Sequence, residues 1–314
     1  MRFGLQVNPY FAGPTGNPWD AVAATARILD ASRFDSLWLY DHLLYEGGYS
    51  GHPHPEPVLE CFSTLNAIAA ITSRIRLGQL VIGTPYRNPA LLTKMATTLD
   101  VISHGRSILG VGAGWHKREY EAYGFGTFEE VPVRMKRLEE AIRVIKTLWT
   151  EKPANFEGKF YRLDQVKDNP APIQRPHPPI MIGGSGEKVT LRLVAQYAQW
   201  CNVSGDVETV RHRLEVLKEH CGRLGRPYEE ITRSNYSTVL IARDEAEVAA
   251  KRERLRDFIP INGALIGTPE QLIDTFGEYA RVGVQYSIFR TPDWLDTESL
   301  QLFADRVIPA LSNA

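Results

Sequence analysis

Residues 76–112 read RLGQLVIGTPYRNPALLTKMATTLDVISHGRSILGVG, and this stretch decides the fold. It begins and ends with short apolar runs, Arg76–Gly83 and Ser107–Gly112, which are typical of buried strands. Between them Asn88 precedes Pro89, so a capping side chain stands before a proline at the first helical position. A stripe at helical spacing follows, formed by Leu92, Ala96, Leu99 and Ile102. The stretch therefore predicts a strand, a helix and a second strand, the unit of a parallel sheet.

The same alternation extends outward in both directions. Further strand candidates are Phe3–Val7, Ser36–Asp41, Ile180–Gly183, Cys201–Ser204, Ser237–Ala242 and Tyr286–Arg290. Helices between them have their own start signals: Asn17-Pro18 repeats the cap, and Thr268-Pro269-Glu270-Gln271 forms a capping box ahead of a stripe of Leu272, Phe276 and Tyr279. Eight such units in one chain predict a single-domain (β/α)8 TIM barrel over residues 1–314. An open, doubly wound sheet is the alternative.

One interval is much longer than the others. Between the fourth and fifth predicted strands lie the predicted helix Val133–Trp149 and the proline-rich run Pro170–Pro179. No linker of disordered composition divides the chain there, so we interpret residues 115–179, approximately, as an insertion on the barrel.

Composition excludes several classes of function. The formal net charge is -1, without the clustered basic excess that a nucleic-acid-binding surface needs. No apolar run approaches the ~18 residues of a membrane span. The first residues already resemble a strand, so no signal peptide is expected. Cys61, Cys201 and Cys221 are too scattered for a disulfide framework. These features favour a cytoplasmic enzyme that acts on a small molecule, with neither nucleic acid nor membrane as a partner.

In a (β/α)8 barrel the active site is built from the carboxyl ends of the strands and the loops after them. The second predicted strand ends in Asp41-His42, which places an imidazole at the mouth beside a carboxylate. The fourth is followed by Gly112, Gly114 and Trp115, where glycines permit close approach of a flat ligand and the indole offers a stacking face. Simpler interpretations are a capping aspartate with a loop histidine, and glycines that only allow tight packing.

The fifth predicted strand runs into Gly183, Gly184, Ser185 and Gly186, followed by a helix. We predict Ser185 as the cap of that helix and Lys188 in its first turn. Uncovered N–H groups at the positive end of a helix form an anion site, so this loop is a candidate phosphate site. It is not a nucleophile elbow, because Glu187 occupies the last glycine position of that motif.

A metal site could be drawn from His52, His54, Glu56 and Glu60. Proline lies between the two histidines, which is typical of a solvated, shaped loop, and we expect no metal here.

Several of these segments together resemble the luciferase-like oxidoreductases, and most closely their F420-dependent branch. The resemblance covers roughly residues 1–290. It is carried by Asp41-His42, Gly78–Pro89, Leu99–Arg106, Gly110–Trp115 with Glu119 and Tyr123-Gly124, Pro178–Gly184, Thr190–Arg192 and Asn202.

The resemblance implies a cofactor and a site. The cofactor would be the deazaflavin F420, with His42 beside its reactive face and a cis peptide near Leu80-Val81 behind the ring. The loop Gly183–Gly186 would hold its phosphate. Asp41, Gly112, Gly114 and Asn202 would contribute further cofactor contacts, and homodimers are common in the family.

One departure bears on the substrate. The sugar- and alcohol-oxidising F420 enzymes have a glutamate where this chain has Trp115, which argues against dehydrogenation of such substrates. The leading hypothesis is hydride transfer between F420 and a small organic substrate, in the direction of reduction, with His42, Asp41 and Trp115 as catalytic residues. The alternatives are an FMN-dependent monooxygenase and a non-catalytic flavin-binding barrel.

Overall fold

The computed structural model describes residues 1–7, 15–44, 57–256 and 263–312. Its strands are β1 (Arg2–Gln6), β2 (Ser36–Leu39), β3 (Arg76–Gln79), β4 (Ile82–Gly83), β5 (Ser107–Gly112), β6 (Ala154–Glu157), β7 (Arg162–Val166), β8 (Ile180–Gly183), β9 (Trp200–Ser204), β10 (Thr232–Ile241), β11 (Ala264–Gly267) and β12 (Tyr286–Arg290).

The helices alternate with these strands. They are α1 (Pro18–Ala31), α2 (Cys61–Ile71), α3 (Pro89–Ile102), α4 (Lys117–Ala122), α5 (Val131–Thr150), α6 (Thr190–Tyr197), α7 (Val207–Leu224), α8 (Glu245–Arg254), α9 (Pro269–Arg281), α10 (Thr297–Leu302) and α11 (Ile308–Ser312). Within the described ranges, no helix has both the length and the apolar character needed to cross a bilayer.

Eight strands close into a parallel barrel, in the order β1, β2, β3, β5, β8, β9, β10 and β12, with β12 pairing back to β1. The predicted (β/α)8 barrel is therefore confirmed, and the open-sheet alternative is wrong. Because all these pairings are parallel, the carboxyl ends of the strands meet at one end, which we call the mouth. Between β5 and β8 lie α4, α5 and the antiparallel hairpin β6–β7.

The third predicted strand is interrupted where the resemblance implied a cis peptide, with β3 and β4 both paired to β5 on either side of residues 80 and 81. Two other details of the predicted strands are wrong. The seventh begins at Thr232, five residues before the predicted Ser237, because polar interior side chains belong to it: Ser234 donates to the Cys201 carbonyl at 2.7 Å. The short strands β6, β7 and β11 were not predicted.

The helix caps behave as their sequences indicate. The side chains of Asn17 and Asn88 accept backbone N–H bonds at the starts of α1 and α3, and Thr268 and Gln271 form the capping box of α9. The stripe Leu92, Ala96 and Leu99 is buried. Ile102, the last residue of α3 and of the stripe, is 39% exposed.

The two faces of the barrel strands belong to two different hydrophobic cores. Alternate residues point outward to the helices and form the main core, whereas the others fill the barrel: Trp38, Ile108, Met181, Trp200, Tyr286 and Ile288. Leu80, Val81 and Tyr236 pack on this interior core. The barrel is therefore filled by side chains, and a site at the mouth lies above them.

The segment Leu99–Arg106 stabilises the fold through its hydrogen bonds to neighbouring elements. Asp100 is fully buried and accepts hydrogen bonds from the Ser107 hydroxyl, the Gln174 side chain and two backbone N–H groups. The Arg106 guanidinium donates to carbonyls at the end of α2, including those of Ala69 and Thr72. The last carbonyls of a helix have no partner within the helix, and Arg106 supplies donors to them. This arginine therefore holds the end of α2 next to the start of β5.

Candidate active site

His42 lies at the mouth, just past β2. Ser36, Trp38 and Tyr40 precede it at alternate positions, so the strand direction carries His42 to the inner side of the barrel rim. Its side chain is 19% exposed, and its ring centroid lies 5.8 Å from that of Tyr40. This location agrees with the prediction of an imidazole at the mouth.

The carboxylate beside His42 belongs to Glu119 of α4. The Nδ1 atom of His42 lies 3.3 and 3.2 Å from the two oxygens of Glu119, which is fully buried. The N–H groups of Leu43 and Leu44 donate to Oε1 at 2.6 and 3.1 Å, and the Tyr86 hydroxyl donates to Oε2. Every donor around this carboxylate favours its ionised form.

The electrostatics follow from these contacts. Burial alone would raise the pKa of Glu119, but the hydrogen bonds from His42 and Tyr86 outweigh it and lower the pKa to about 2. Burial and the neighbouring Glu119 raise the pKa of the Tyr86 hydroxyl, which stays protonated and keeps donating. Glu119 is thus ionised at neutral pH, with an oxygen 3.2 Å from Nδ1 of the imidazole.

The prediction that Asp41 is the partner of His42 is wrong. Asp41 is buried and forms a two-pronged pair with the Arg87 guanidinium, at 2.7 Å for each oxygen. The Gly83 N–H also donates to Oδ2 at 2.9 Å. The Asp41 carboxylate is therefore held by Arg87 and by the backbone of β4, and the catalytic and cofactor-binding roles of Asp41 stay predictions.

Arg87 also contacts Glu60, at 2.8 Å, and Glu60 in turn caps α2 by accepting from the Phe62 and Ser63 N–H groups. Glu60 therefore has a structural role. The other residues of the weak metal candidate, His52, His54 and Glu56, lie outside the described residues.

Trp115 follows β5 and reaches the same part of the mouth. Its ring centroid is 5.4 Å from that of His42 with the planes at 79°, an edge-to-face contact, and its side chain is 55% exposed. His116 packs against both rings, with its centroid 4.9 Å from that of Trp115 and 5.8 Å from that of His42. An exposed indole beside the candidate proton carrier provides a wall for a bound substrate.

The peptide bond between Leu80 and Val81 is cis, as the resemblance implied. It separates β3 from β4 on top of the interior core. A Cβ atom at Gly112 would lie 2.8 Å from a Val81 methyl carbon, and one at Gly183 only 2.7 Å from the other. The glycines at the ends of β5 and β8 thus make room for Val81, which corrects the expectation that Gly112 is bare for a flat ligand.

Gln6, which was not predicted, belongs to the top of the interior. Its Nε2 donates to the Leu80 carbonyl at 3.2 Å, whereas its buried Oε1 has no hydrogen-bond partner among the described residues. Further polar groups surround the mouth: the hydroxyls of Tyr40 and Tyr236 lie 3.0 Å apart, and Arg290 donates to Thr238 at 3.0 Å.

The loop after β8 is at the mouth but ends differently from the prediction. Helix α6 begins at Thr190 with Val189 as its cap, so Ser185 is not the cap and Lys188 precedes the helix. The reason is a turn over residues 187–189, closed by the Leu191 N–H donating to the Gly186 carbonyl. Gly184 has a φ of +117°, a conformation that favours glycine, and Gly114 has one of +72°.

Asn202 of β9 is buried and faces the barrel interior above Trp200. Its Nδ2 donates to the Ser234 hydroxyl at 2.9 Å. The structure thus brings His42, Trp115, Leu80 and Val81 together at the mouth, where Asn202 and the loop 183–186 also lie. The Asp41 carboxylate contacts Arg87 instead. Glu119, Tyr86 and Gln6 were not predicted as site residues, although Glu119 and Tyr86 belong to the segments that carry the resemblance.

Comparison with known proteins agrees with this architecture. A model of the luciferase-like monooxygenase family matches residues 1–260. An F420-dependent glucose-6-phosphate dehydrogenase of Microbacterium testaceum is 26% identical, with 99% of this chain and 97% of that protein covered. An FMNH2-dependent dimethylsulfone monooxygenase of Pseudomonas putida is 28% identical over 71% of this chain and 58% of its own length.

Among solved structures, the coenzyme F420-dependent tetrahydromethanopterin reductase of Methanopyrus kandleri superposes with a TM-score of 0.80 at 20% identity, covering 98% of this chain and 99% of that one. At that identity the likeness concerns the fold. Since the family match spans most of the chain, the protein belongs to the luciferase-like monooxygenase family.

Proposed function

We propose that this protein is an F420-dependent oxidoreductase that transfers a hydride between the deazaflavin and a small organic substrate, in the direction of reduction. The observation that carries the proposal is the arrangement at the mouth. The His42 imidazole is held by a buried anion through Nδ1, with the exposed Trp115 indole at 5.4 Å. That arrangement offers one proton-transfer group beside a hydrophobic wall.

Relatives support the cofactor. Two of the similar proteins, the glucose-6-phosphate dehydrogenases of Microbacterium testaceum and Amycolatopsis mediterranei, are named as F420-dependent, and each matches more than nine-tenths of this chain. The Pseudomonas putida relative, named for reduced FMN, is the specific observation in favour of the second candidate, an FMN-dependent monooxygenase.

The residues at the mouth fit a flat heterocycle. Leu80 and Val81 form a half-buried apolar platform over the interior core. The unpartnered Oε1 of Gln6 lies at this level and would accept a hydrogen bond from a ring N–H. Asn202 would contact the ring from the β9 side, and the loop Gly183–Gly186 with Gly114 would hold the phosphate-bearing chain. Bound there, F420 would supply the hydride chemistry.

The protein's own residues have separate tasks in this proposal. Nδ1 of His42 is taken by Glu119, which leaves Nε2 to give the substrate its proton or remove one. Trp115 covers the substrate and excludes water. The sugar- and alcohol-oxidising enzymes have a glutamate at the position of Trp115, and this chain lacks that acidic side chain. We therefore propose that the substrate is a carbonyl compound or another reducible molecule, and not a sugar phosphate.

Anaerobic mixing of reduced F420 with a panel of small carbonyl, enone and imine compounds tests the reaction. We expect reoxidation of the deazaflavin, followed by its absorbance, that depends on both enzyme and substrate and needs no oxygen. Oxygen consumption that depends on reduced FMN, with no reoxidation of F420, would contradict the proposal and favour the monooxygenase.

Replacing Trp115 by Ala should raise KM for the substrate more than it lowers kcat. An indole that only covers the substrate contributes binding in the ground state and the transition state alike. Steady-state kinetics at saturating F420 measures both constants. Phe at this position keeps an aromatic wall, so Trp115→Phe is the matched control and should keep KM near that of the unmodified enzyme. A fall in kcat at unchanged KM would show that Trp115 acts in the chemical step.

A further inference from the structure

The buried carboxylate of Glu119 is surrounded by donors on one side and by the imidazole on the other. Oε1 accepts the N–H groups of Leu43 and Leu44, and Oε2 accepts the hydroxyl of Tyr86. An ionised carboxylate can only accept, so the His42 Nδ1 that lies 3.2 Å away must donate. The neutral imidazole then has its hydrogen on Nδ1 and a bare lone pair on Nε2.

We propose that Glu119 is the positioning residue of the active site: it fixes the tautomer and the orientation of His42, so that Nε2 faces the substrate as the proton-transfer atom. This inference rests on the proposed function for its catalytic consequence, but its structural content concerns the ring of His42 alone. The Glu119 carboxylate also stabilises the imidazolium that forms when Nε2 takes up a proton while Nδ1 keeps its own.

The donors around Glu119 make one substitution especially informative. In Glu119→Gln the amide oxygen must take the place of Oε1, because the Leu43 and Leu44 N–H groups need an acceptor there. The amide NH2 group then occupies the Oε2 position and points a donor at Nδ1. The oxygen at the Oε1 position, 3.3 Å from Nδ1, already accepts two N–H groups, and the Tyr86 hydroxyl can rotate to accept from the amide. We therefore expect His42 to accept at Nδ1, which moves its hydrogen to Nε2. The substitution therefore keeps the shape of the site and reverses the tautomer.

Nitrogen-15 NMR of histidine-labelled enzyme, assigned with His42→Ala, distinguishes the two tautomers. We expect the unmodified protein at alkaline pH to show His42 with Nδ1 protonated and Nε2 bare, and Glu119→Gln to show the reverse. We expect kcat to fall about 10²-fold in the variant, within the range for lost acid–base catalysis, at nearly unchanged F420 affinity.

Glu121→Gln is the matched control. Glu121 lies on the same short helix, is exposed and contacts only Lys117, at 3.8 Å, among the ion pairs of the described chain. It makes the same change of charge without touching His42, and it should leave both kcat and the tautomer unaltered.

The outcomes separate the two claims. A protein with His42 protonated on Nε2 before any substitution, or Glu119→Gln with an unchanged tautomer, overturns the positioning role. The first of these measurements uses only the unmodified protein and His42→Ala for assignment, and so does not depend on whether Glu119→Gln folds. If Glu119→Gln reverses the tautomer but kcat stays within threefold of the unmodified enzyme, Glu119 does set the tautomer of His42. That result would overturn the proton-transfer role of His42 in the proposed function.

Discussion

Replacing His42 by Ala is expected to lower kcat by about 10²–10⁴-fold while F420 binds almost as before. That is the usual contribution of a general acid–base group. Among the described residues, the nearby His116 is engaged elsewhere: it accepts the Glu119 N–H through its own Nδ1, at 3.0 Å, and caps α4. Single-turnover kinetics with reduced F420, combined with a binding titration, separates the chemical step from affinity.

His104→Asn is a suitable control for this experiment. His104 is exposed, and its φ of +54° is one that asparagine tolerates better than alanine does. Its turnover should match that of the unmodified enzyme. Near-normal turnover of His42→Ala would contradict the mechanism, even if the cofactor were the right one.

The second large effect concerns stability. Asp41→Ala should lower the free energy of unfolding by about 3 kcal/mol, near the lower end for breaking a buried ion pair, because it leaves Arg87 largely buried without its two-pronged partner. Glu60 remains within 2.8 Å of Arg87 and moderates the loss. Equilibrium unfolding in urea, followed by far-ultraviolet circular dichroism, measures the change.

The double variant Asp41→Leu with Arg87→Leu removes both charges and should recover much of that stability, since an apolar pair has no desolvation cost to offset. A loss below about 1 kcal/mol for Asp41→Ala would place this pair among ordinary surface ion pairs. It would also favour the catalytic role that the sequence suggested for Asp41.

The fold could be predicted from the chain because its signals are local. Caps such as Asn88-Pro89 and Thr268–Gln271 depend on neighbours in sequence, and these two are confirmed. The errors have non-local causes. Ser234 is a polar residue of a strand because its hydroxyl bonds to the neighbouring strand β9. Residues 187–189 form a turn, so α6 begins later than the sequence predicts.

The site was predicted in part for the same reason. His42 could be placed from its strand, since a strand end fixes the direction of the next side chain. The partner of His42 could not be predicted, because Asp41 and Glu119 are both carboxylates and only the packing of the folded chain determines which of them contacts the imidazole. Adjacent residues of an extended chain point to opposite faces, so Asp41 faces Arg87 and His42 faces the mouth. The carboxylate that contacts His42 is Glu119, which lies 77 residues after His42 in the chain.

The cofactor is the central claim, and one binding measurement tests it directly. The purified protein is titrated with F420 and with FMN side by side, in the same buffer, and followed by the fluorescence of each cofactor. The proposal predicts that F420 binds at least about tenfold tighter, a preference of roughly 1.4 kcal/mol. Equal or tighter binding of FMN would contradict it.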